Sequence, residues 1–165
     1  MRFTRPLIKA FLIAPLNIMI IIPIILHWLS FHWNFLQQFN IIFSLTGNLI
    51  GIVFILIGGY IIIRSVSELT DNGQDGTPAS WCPPNNLVMT GLYRRTRNPL
   101  YIGVTLVLLG EVFLSGGFLV VGWFLFWSGG ILVVTPLMEE PELEERFGDS
   151  FRDYKESVPR WIPKL

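Results

Sequence analysis

From residue 10 to residue 63 the chain carries no formal charge, and nothing else in it limits the fold so strongly. A soluble core cannot hide an apolar run of that length, whereas a bilayer needs about 20 residues for each helical span. The run therefore predicts two spans, near 10–29 and 41–63. Between them lies the polar and aromatic segment Ser30-Phe31-His32-Trp33-Asn34, followed by Gln37, Gln38 and Asn40. Pro15 and Pro23 are expected kinks in the first span. Gly47, Gly51 and Gly58 share one face of the second, where small residues let a neighbouring helix approach.

Residues 64–98 read as a polar connection, with turn formers at Asp71-Asn72-Gly73, Asp75-Gly76, Pro83-Pro84 and Asn85-Asn86. A second apolar stretch, Pro99 to Met138, holds a single charge, Glu111. Ser115-Gly116-Gly117 is its turn, which predicts helices over 99–114 and 118–138. At 1.5 Å per residue the first reaches only about 24 Å, against a hydrocarbon core of ~30 Å, so its start is expected to be recessed into the membrane. Past Glu139 the chain is charged, and Leu143, Phe147, Phe151, Tyr154 and Val158 form a helical stripe. That stripe predicts an amphipathic helix lying at the interface. The expected architecture is an all-α polytopic membrane protein, a single domain over 1–165, with about four transmembrane helices and a C-terminal amphipathic helix.

Composition and charge narrow the function classes. Residues are 52% hydrophobic and 15% charged, too apolar for disorder. Lys and Arg number 12 and are balanced by 12 Asp and Glu, so no excess of positive charge waits for a nucleic acid. Cys82 is the only cysteine, which excludes an intrachain disulfide. In a four-span arrangement every Lys and Arg falls on the side that holds the N-terminus, the 64–98 connection and the tail. The positive-inside rule then places both termini in the cytosol. The first span is too long for a signal-peptide core and has no clear cleavage site, so it is expected to remain in the mature protein.

Any site is accordingly expected on or just beneath the cytosolic face. Arg94-Arg95-Thr96-Arg97-Asn98-Pro99 leads into the third span, with Asn98 in N-cap position and Pro99 first in the helix. Glu139-Glu140-Pro141 closes the fourth. In an antiparallel hairpin these two segments become neighbours. A helix start flanked by arginines attracts an anion, and a carboxylate pair attracts a cation, an amine or a diol. Together they suit a zwitterionic ligand. Each element also has a plainer reading: arginines before a span anchor it at the interface, and glutamates after one are solvated surface. His27 and His32 lack a partner at ligand spacing, so no metal is expected, and Cys82 lacks a nearby base. Glu111 is either functional within its span or close enough to the turn to reach water on the far side.

At these residues the chain resembles a known family. Gly91-Leu92-Tyr93-Arg94-Arg95-Thr96-Arg97-Asn98-Pro99-Leu100-Tyr101-Ile102-Gly103 is similar to the "GPYRYVRNPMYxG" motif of the isoprenylcysteine carboxyl methyltransferases, relatives of phospholipid N-methyltransferases. Glu139-Glu140-Pro141-Glu142-Leu143 with Arg146-Phe147-Gly148 resembles "EEPxLxxRFG", and Tyr154 through Pro163 resembles "YxxxVPRWxP". Gly76-Thr77-Pro78-Ala79 and Pro83-Pro84 also fit bacterial members. The likeness covers about residues 73–165. It departs at Leu92, where proline is usual, and at Asn98, where eukaryotic members carry histidine and bacterial ones commonly asparagine.

The resemblance implies a membrane-embedded methyltransferase that uses S-adenosylmethionine, in a bacterial inner membrane. It puts the cofactor's carboxylate near Arg97 and the helix start at Asn98 and Pro99, with Tyr101 and Gly103 as pocket wall. Glu139 or Glu140 then holds the amino group or ribose hydroxyls, Arg97 and Glu140 are the catalytic pair, and Arg160 and Trp161 fold the tail over the site. The acceptor is a hydrophobic or lipid-like molecule entering from the bilayer. Two other classes stay open: an NADPH-dependent membrane reductase of related architecture, and a non-catalytic membrane protein.

Overall fold

The computed structural model describes residues 17–32, 45–73 and 85–164. Among them every regular element is helical. The expectations for Pro15, for the connection over 33–44, and for 74–84 with Gly76-Thr77-Pro78-Ala79, Cys82 and Pro83-Pro84 lie outside the described residues.

A π-helical turn, Asn17–Ile21, runs into α1, Ile22–His32. Pro23 has no N–H to continue the ladder, and the wider turn just before it is where the helix absorbs that loss. The second helix, α2, spans Leu45–Asn72, 28 residues, or about 42 Å. It continues well past the expected end at residue 63. The charges from Arg64 onward end the apolar run but not the helical period: Ser65, Val66, Leu69 and Thr70 are buried along one side. Opposite them Arg64 meets Glu68 one turn on, at 3.4 Å. The Ser65 and Thr70 hydroxyls donate to Ile61 O and Val66 O within the same helix, at 2.7 and 2.8 Å, which satisfies them in place.

A 3-10 turn, Gly91–Arg94, precedes α3, Pro99–Ser115, of 17 residues, or about 25 Å. Gly116 ends it in the left-handed region, φ 56°, with its N–H on Val112 O. Helix α4, Phe118–Val134, passes through a π-helical turn at Thr135–Glu139 into α5, Glu140–Phe147. Pro136 lies in that turn, again where an N–H is missing. Together Phe118–Phe147 forms one 30-residue apolar helix, and it and α2 are the two described helices long and apolar enough to cross a membrane. Their outer faces agree: Leu56, Leu125 and Phe126 are 67%, 61% and 71% exposed. A bilayer accepts such a surface without cost, whereas water does not.

The main packing is α2 against α3, antiparallel. A Cβ at Gly58 would lie 2.6 Å from Gly103 O, and one at Gly110 would lie 2.6 Å from Gly51 O. Paired glycines two turns apart on both helices thus let the backbones touch, with Ile62, Val66, Val104, Val107 and Leu108 closing the core. The face read for Gly47, Gly51 and Gly58 is the buried one.

The tail departs from expectation. Gly148, at φ 55° and ψ −130°, breaks the predicted single helix into α5 and α6, Asp149–Ser157. The stripe survives the break, but it packs on protein rather than on lipid. Phe151, Tyr154 and Val158 are buried together with Leu143, Phe147 and, from the connection, Leu87.

Candidate functional site

The site grows from the segment that joins the 3-10 turn to α3. Its backbone is held by the tail: Arg97 N–H donates to Pro159 O at 2.9 Å, and Lys164 N–H donates to Arg95 O at 2.9 Å. Side chains reinforce this, with Thr96 Oγ1 donating to Arg160 O at 2.9 Å and Asn98 Nδ2 to the same carbonyl at 3.2 Å. Asn98 therefore stands at the N-cap position but makes no cap hydrogen bond. Its amide is spent on the tail. Pro99 follows it, buried, at the first position of α3.

Arg97 and Glu140 meet as the hairpin requires. Arg97 Nη1 donates to Glu140 Oε1 at 2.6 Å. Arg160 then grips both oxygens of the same carboxylate, Nε to Oε1 and Nη2 to Oε2, each at 2.8 Å. Three charge-assisted bonds on a carboxylate that is 7% exposed make a rigid unit with one positive charge in surplus. Burial lowers the Arg97 pKa from its ordinary value, an effect that Glu140 opposes and Arg160 reinforces. The hydrogen bond to Glu140 raises that of Arg160. Arg97 Nε is buried with no acceptor of its own, so the guanidinium still has a donor to offer a ligand.

That donor lies beside a cavity of about 90 Å³ lined by Arg97, Asn98, Thr135, Glu139, Glu140 and Tyr154, among others. The volume equals about three waters at ~30 Å³ each, and ligand pockets for whole cofactors run to about 300 Å³ or more. With the tail in place, the cavity is too small for a whole cofactor.

The other predicted residues are divided. Tyr101 donates to Glu139, which ties the first turn of α3 to the π-helical turn after α4. Trp161 is half-buried and its carbonyl accepts from Thr96 at 3.4 Å. Gly103 is elsewhere: a Cβ on it would meet Ile62 Cγ1 at 2.8 Å and Gly58 O at 2.9 Å, so its missing side chain serves the α2–α3 contact, not a pocket wall. Of residues given no place in the site from the sequence, Thr96 and Tyr154 matter most. Tyr154 Oη donates to Tyr93 O at 2.6 Å, linking α6 to the 3-10 turn, and burial raises the pKa of this phenol. Both residues stand inside the quoted motifs, which was the available signal. Thr135 carried none.

On the far side, Glu111 and His27 share a cavity of about 240 Å³ with Ser115 and apolar neighbours. One Glu111 oxygen is buried without a partner. His32 Nδ1 lies 3.1 Å from Trp28 O within α1. Among the described residues no three His, Cys, Asp or Glu side chains gather as a metal group.

The comparisons with known proteins fall on the same segments. A family model described as phospholipid methyltransferase matches residues 47–150, from α2 through the start of α6. The chain is also 35% identical over 81 residues to a Schizosaccharomyces pombe protein named protein-S-isoprenylcysteine O-methyltransferase. That match covers 48% of this chain and 34% of the relative, so the chain spans about a third of that protein's length. No solved structure matches.

Proposed function

The chain belongs to the phospholipid methyltransferase family, and from that premise we propose that it is an integral-membrane, S-adenosylmethionine-dependent methyltransferase acting on a hydrophobic or lipid-like acceptor. One observation carries the reading. Arg97 and Arg160 share the single carboxylate of Glu140, and Arg97 Nε, buried and unpartnered, is left to receive a carboxylate beside the cavity. Arg97 and the start of α3 at Asn98 and Pro99 bind the cofactor's carboxylate. Glu139, held by Tyr101, and Glu140 take its amino group or ribose hydroxyls. When bound, the cofactor supplies a methyl group on a sulfonium. The remaining work of the residues is to align the acceptor and exclude water. A carboxylate acceptor needs no base, whereas an amine or thiol must first lose a proton.

The small cavity and the latched tail together support a lid. Pro159 O, Arg160 O and the Arg160 guanidinium must let go for a whole cofactor to enter from the cytosol, and their return closes the site. The acceptor enters sideways from the bilayer. In this reading one domain crosses a bacterial inner membrane four times, with α1, α2, α3 and α4 as spans and both termini cytosolic. A C-terminal reporter active only as a cytosolic enzyme is the expected result. The site itself is tested by calorimetry on Arg97→Ala. Loss of one charge-assisted contact, about 1.5–3 kcal/mol, weakens S-adenosylmethionine binding roughly 10- to 150-fold. Unchanged affinity in a folded variant overturns the site.

A further inference from the structure

The basic residues of the cytosolic end differ in what they meet. Arg64, Arg97, Arg152, Lys155 and Arg160 each contact a carboxylate, and Arg146 lies over the Phe147 ring at 5.3 Å. Arg94, Arg95 and Lys164 meet no carboxylate among the described residues, yet these three converge. With Gly91 they line one groove of about 520 Å³ that contains no acidic side chain. Glu68 lies behind Gly91 and is already engaged by Arg64, Asn72 and Thr90.

Two elements build this groove. Gly91, Arg94 and Arg95 come from the 3-10 turn and the residue after it, and Lys164 comes from the end of the tail. The tail arrives through the Lys164 N–H bond to Arg95 O. The Lys164 ammonium donates one hydrogen bond, to Ser157 O at 2.6 Å, and among the described residues its two other donors meet no acceptor. An anion in the groove therefore touches both walls at once and is bound more tightly with the tail down than with it lifted. Such a difference in affinity is what shifts a two-position equilibrium.

The surroundings indicate where the anion comes from. Arg94 and Arg95 stand just ahead of Pro99, where the apolar helix α3 begins. In the tail, Ile162, two residues before Lys164, is an apolar side chain that is 82% exposed. Basic residues next to an exposed apolar one fit a membrane surface that carries phosphate.

We propose that the groove formed by Arg94, Arg95 and Lys164 binds the phosphate of an anionic lipid headgroup, which clamps the tail against the entry to α3. The functional consequence rests on the lid reading above, because only then does the clamp govern access to the site. Binding itself does not.

The test uses the full chain in nanodiscs of phosphatidylcholine, alone or with roughly 30% phosphatidylglycerol. Hydrogen exchange is followed over residues 158–164. The anionic lipid is expected to slow tail exchange about fivefold, the scale set by one basic side chain gaining a headgroup. The double variant Arg94→Gln, Lys164→Gln loses this slowing, while Arg146→Gln, a basic side chain outside the groove, keeps it. Slowing by millimolar inorganic phosphate in the neutral discs supports the same anion site with a soluble source. No slowing by either anion overturns the proposal, as does slowing that persists in the double variant. Failure of the lid reading is seen separately, as full turnover in a chain lacking the tail, which exchange does not measure.

Discussion

Two glutamates, Glu140 buried and Glu111 half-buried, stand near opposite ends of the α3–α4 hairpin, and they are treated differently. Glu140, at the end that holds the tail, accepts three hydrogen bonds from two guanidiniums that lie 43 and 20 positions away in sequence. Glu111, on the far side, has one oxygen buried with no partner, facing a cavity it shares with His27. A carboxylate held by several elements at once organises them. At Glu140 the entry to α3, the exit of α4 and the tail become one unit. An oxygen with no donor ties no elements together, and helix packing has to hold the structure around it. The contrast separates the proposed site from a tolerated polar residue, and each prediction below tries to break or sharpen it.

The largest effect is expected at Glu140→Ala. It leaves Arg97 and Arg160 facing each other without their shared counter-charge, and breaking a buried ion pair in this way costs about 3–5 kcal/mol. Denaturant unfolding in detergent should show that loss, with S-adenosylmethionine binding abolished alongside. A variant that unfolds like the parent would mean that the cluster organises less than its geometry implies.

Next come the glycines, which test the claim that the far end depends on packing. Gly51→Val pushes its side chain into Gly110 O and Leu114, and overpacking of this kind costs about 1–3 kcal/mol. Gly122→Val is the matched control, because a Cβ there meets nothing within 4 Å, and it should stay within about 0.5 kcal/mol of the parent. Equal unfolding of the two variants would remove the α2–α3 contact as the support of the fold.

The tail gives a kinetic effect. Deleting residues 157–165 removes Arg160 from Glu140 and the carbonyls that hold Thr96, Arg97 and Asn98. Turnover per folded molecule should fall at least tenfold, about 1.4 kcal/mol of barrier. Full turnover would leave the tail as an anchor only.

How much of this was legible in the sequence depends on the range of the interaction. The turn at Ser115-Gly116-Gly117 and the glycine face of α2 follow from local pattern, and both are where that pattern put them. The approach of Arg97 to Glu140 followed from antiparallel pairing of two helices. The third member, Arg160, came from the family likeness, because no local rule brings residue 160 onto residue 140. The end of α2 lies beyond its expected position because charge marks the limit of the apolar run and not that of the helix. Gly103 was assigned to a pocket because its motif was read for ligand contact, while its partners, Gly58 and Ile62, lie on a helix that the motif does not contain. The stripe of the tail was read correctly as apolar. What covers it, Leu87 from the connection, gave no periodic signal.

The smallest effect is expected at Glu111, and there the comparison is most exposed to failure. Replacing a half-buried carboxyl, one oxygen of which is buried without a donor, by an apolar side chain of similar size removes that oxygen's desolvation penalty, so it is neutral or stabilising. Glu111→Leu should therefore raise unfolding stability by about 1 kcal/mol, measured in the same detergent as Glu140→Ala. Its affinity for S-adenosylmethionine should stay within about twofold of the parent, since 1.4 kcal/mol would be needed for a tenfold change and no bond connects the two ends. Glu111→Gln keeps the shape and adds a donor, so it separates the loss of charge from the loss of an acceptor. If either variant weakens cofactor binding as Arg97→Ala does, the far cavity is coupled to the site through α3, and the two glutamates belong to one system.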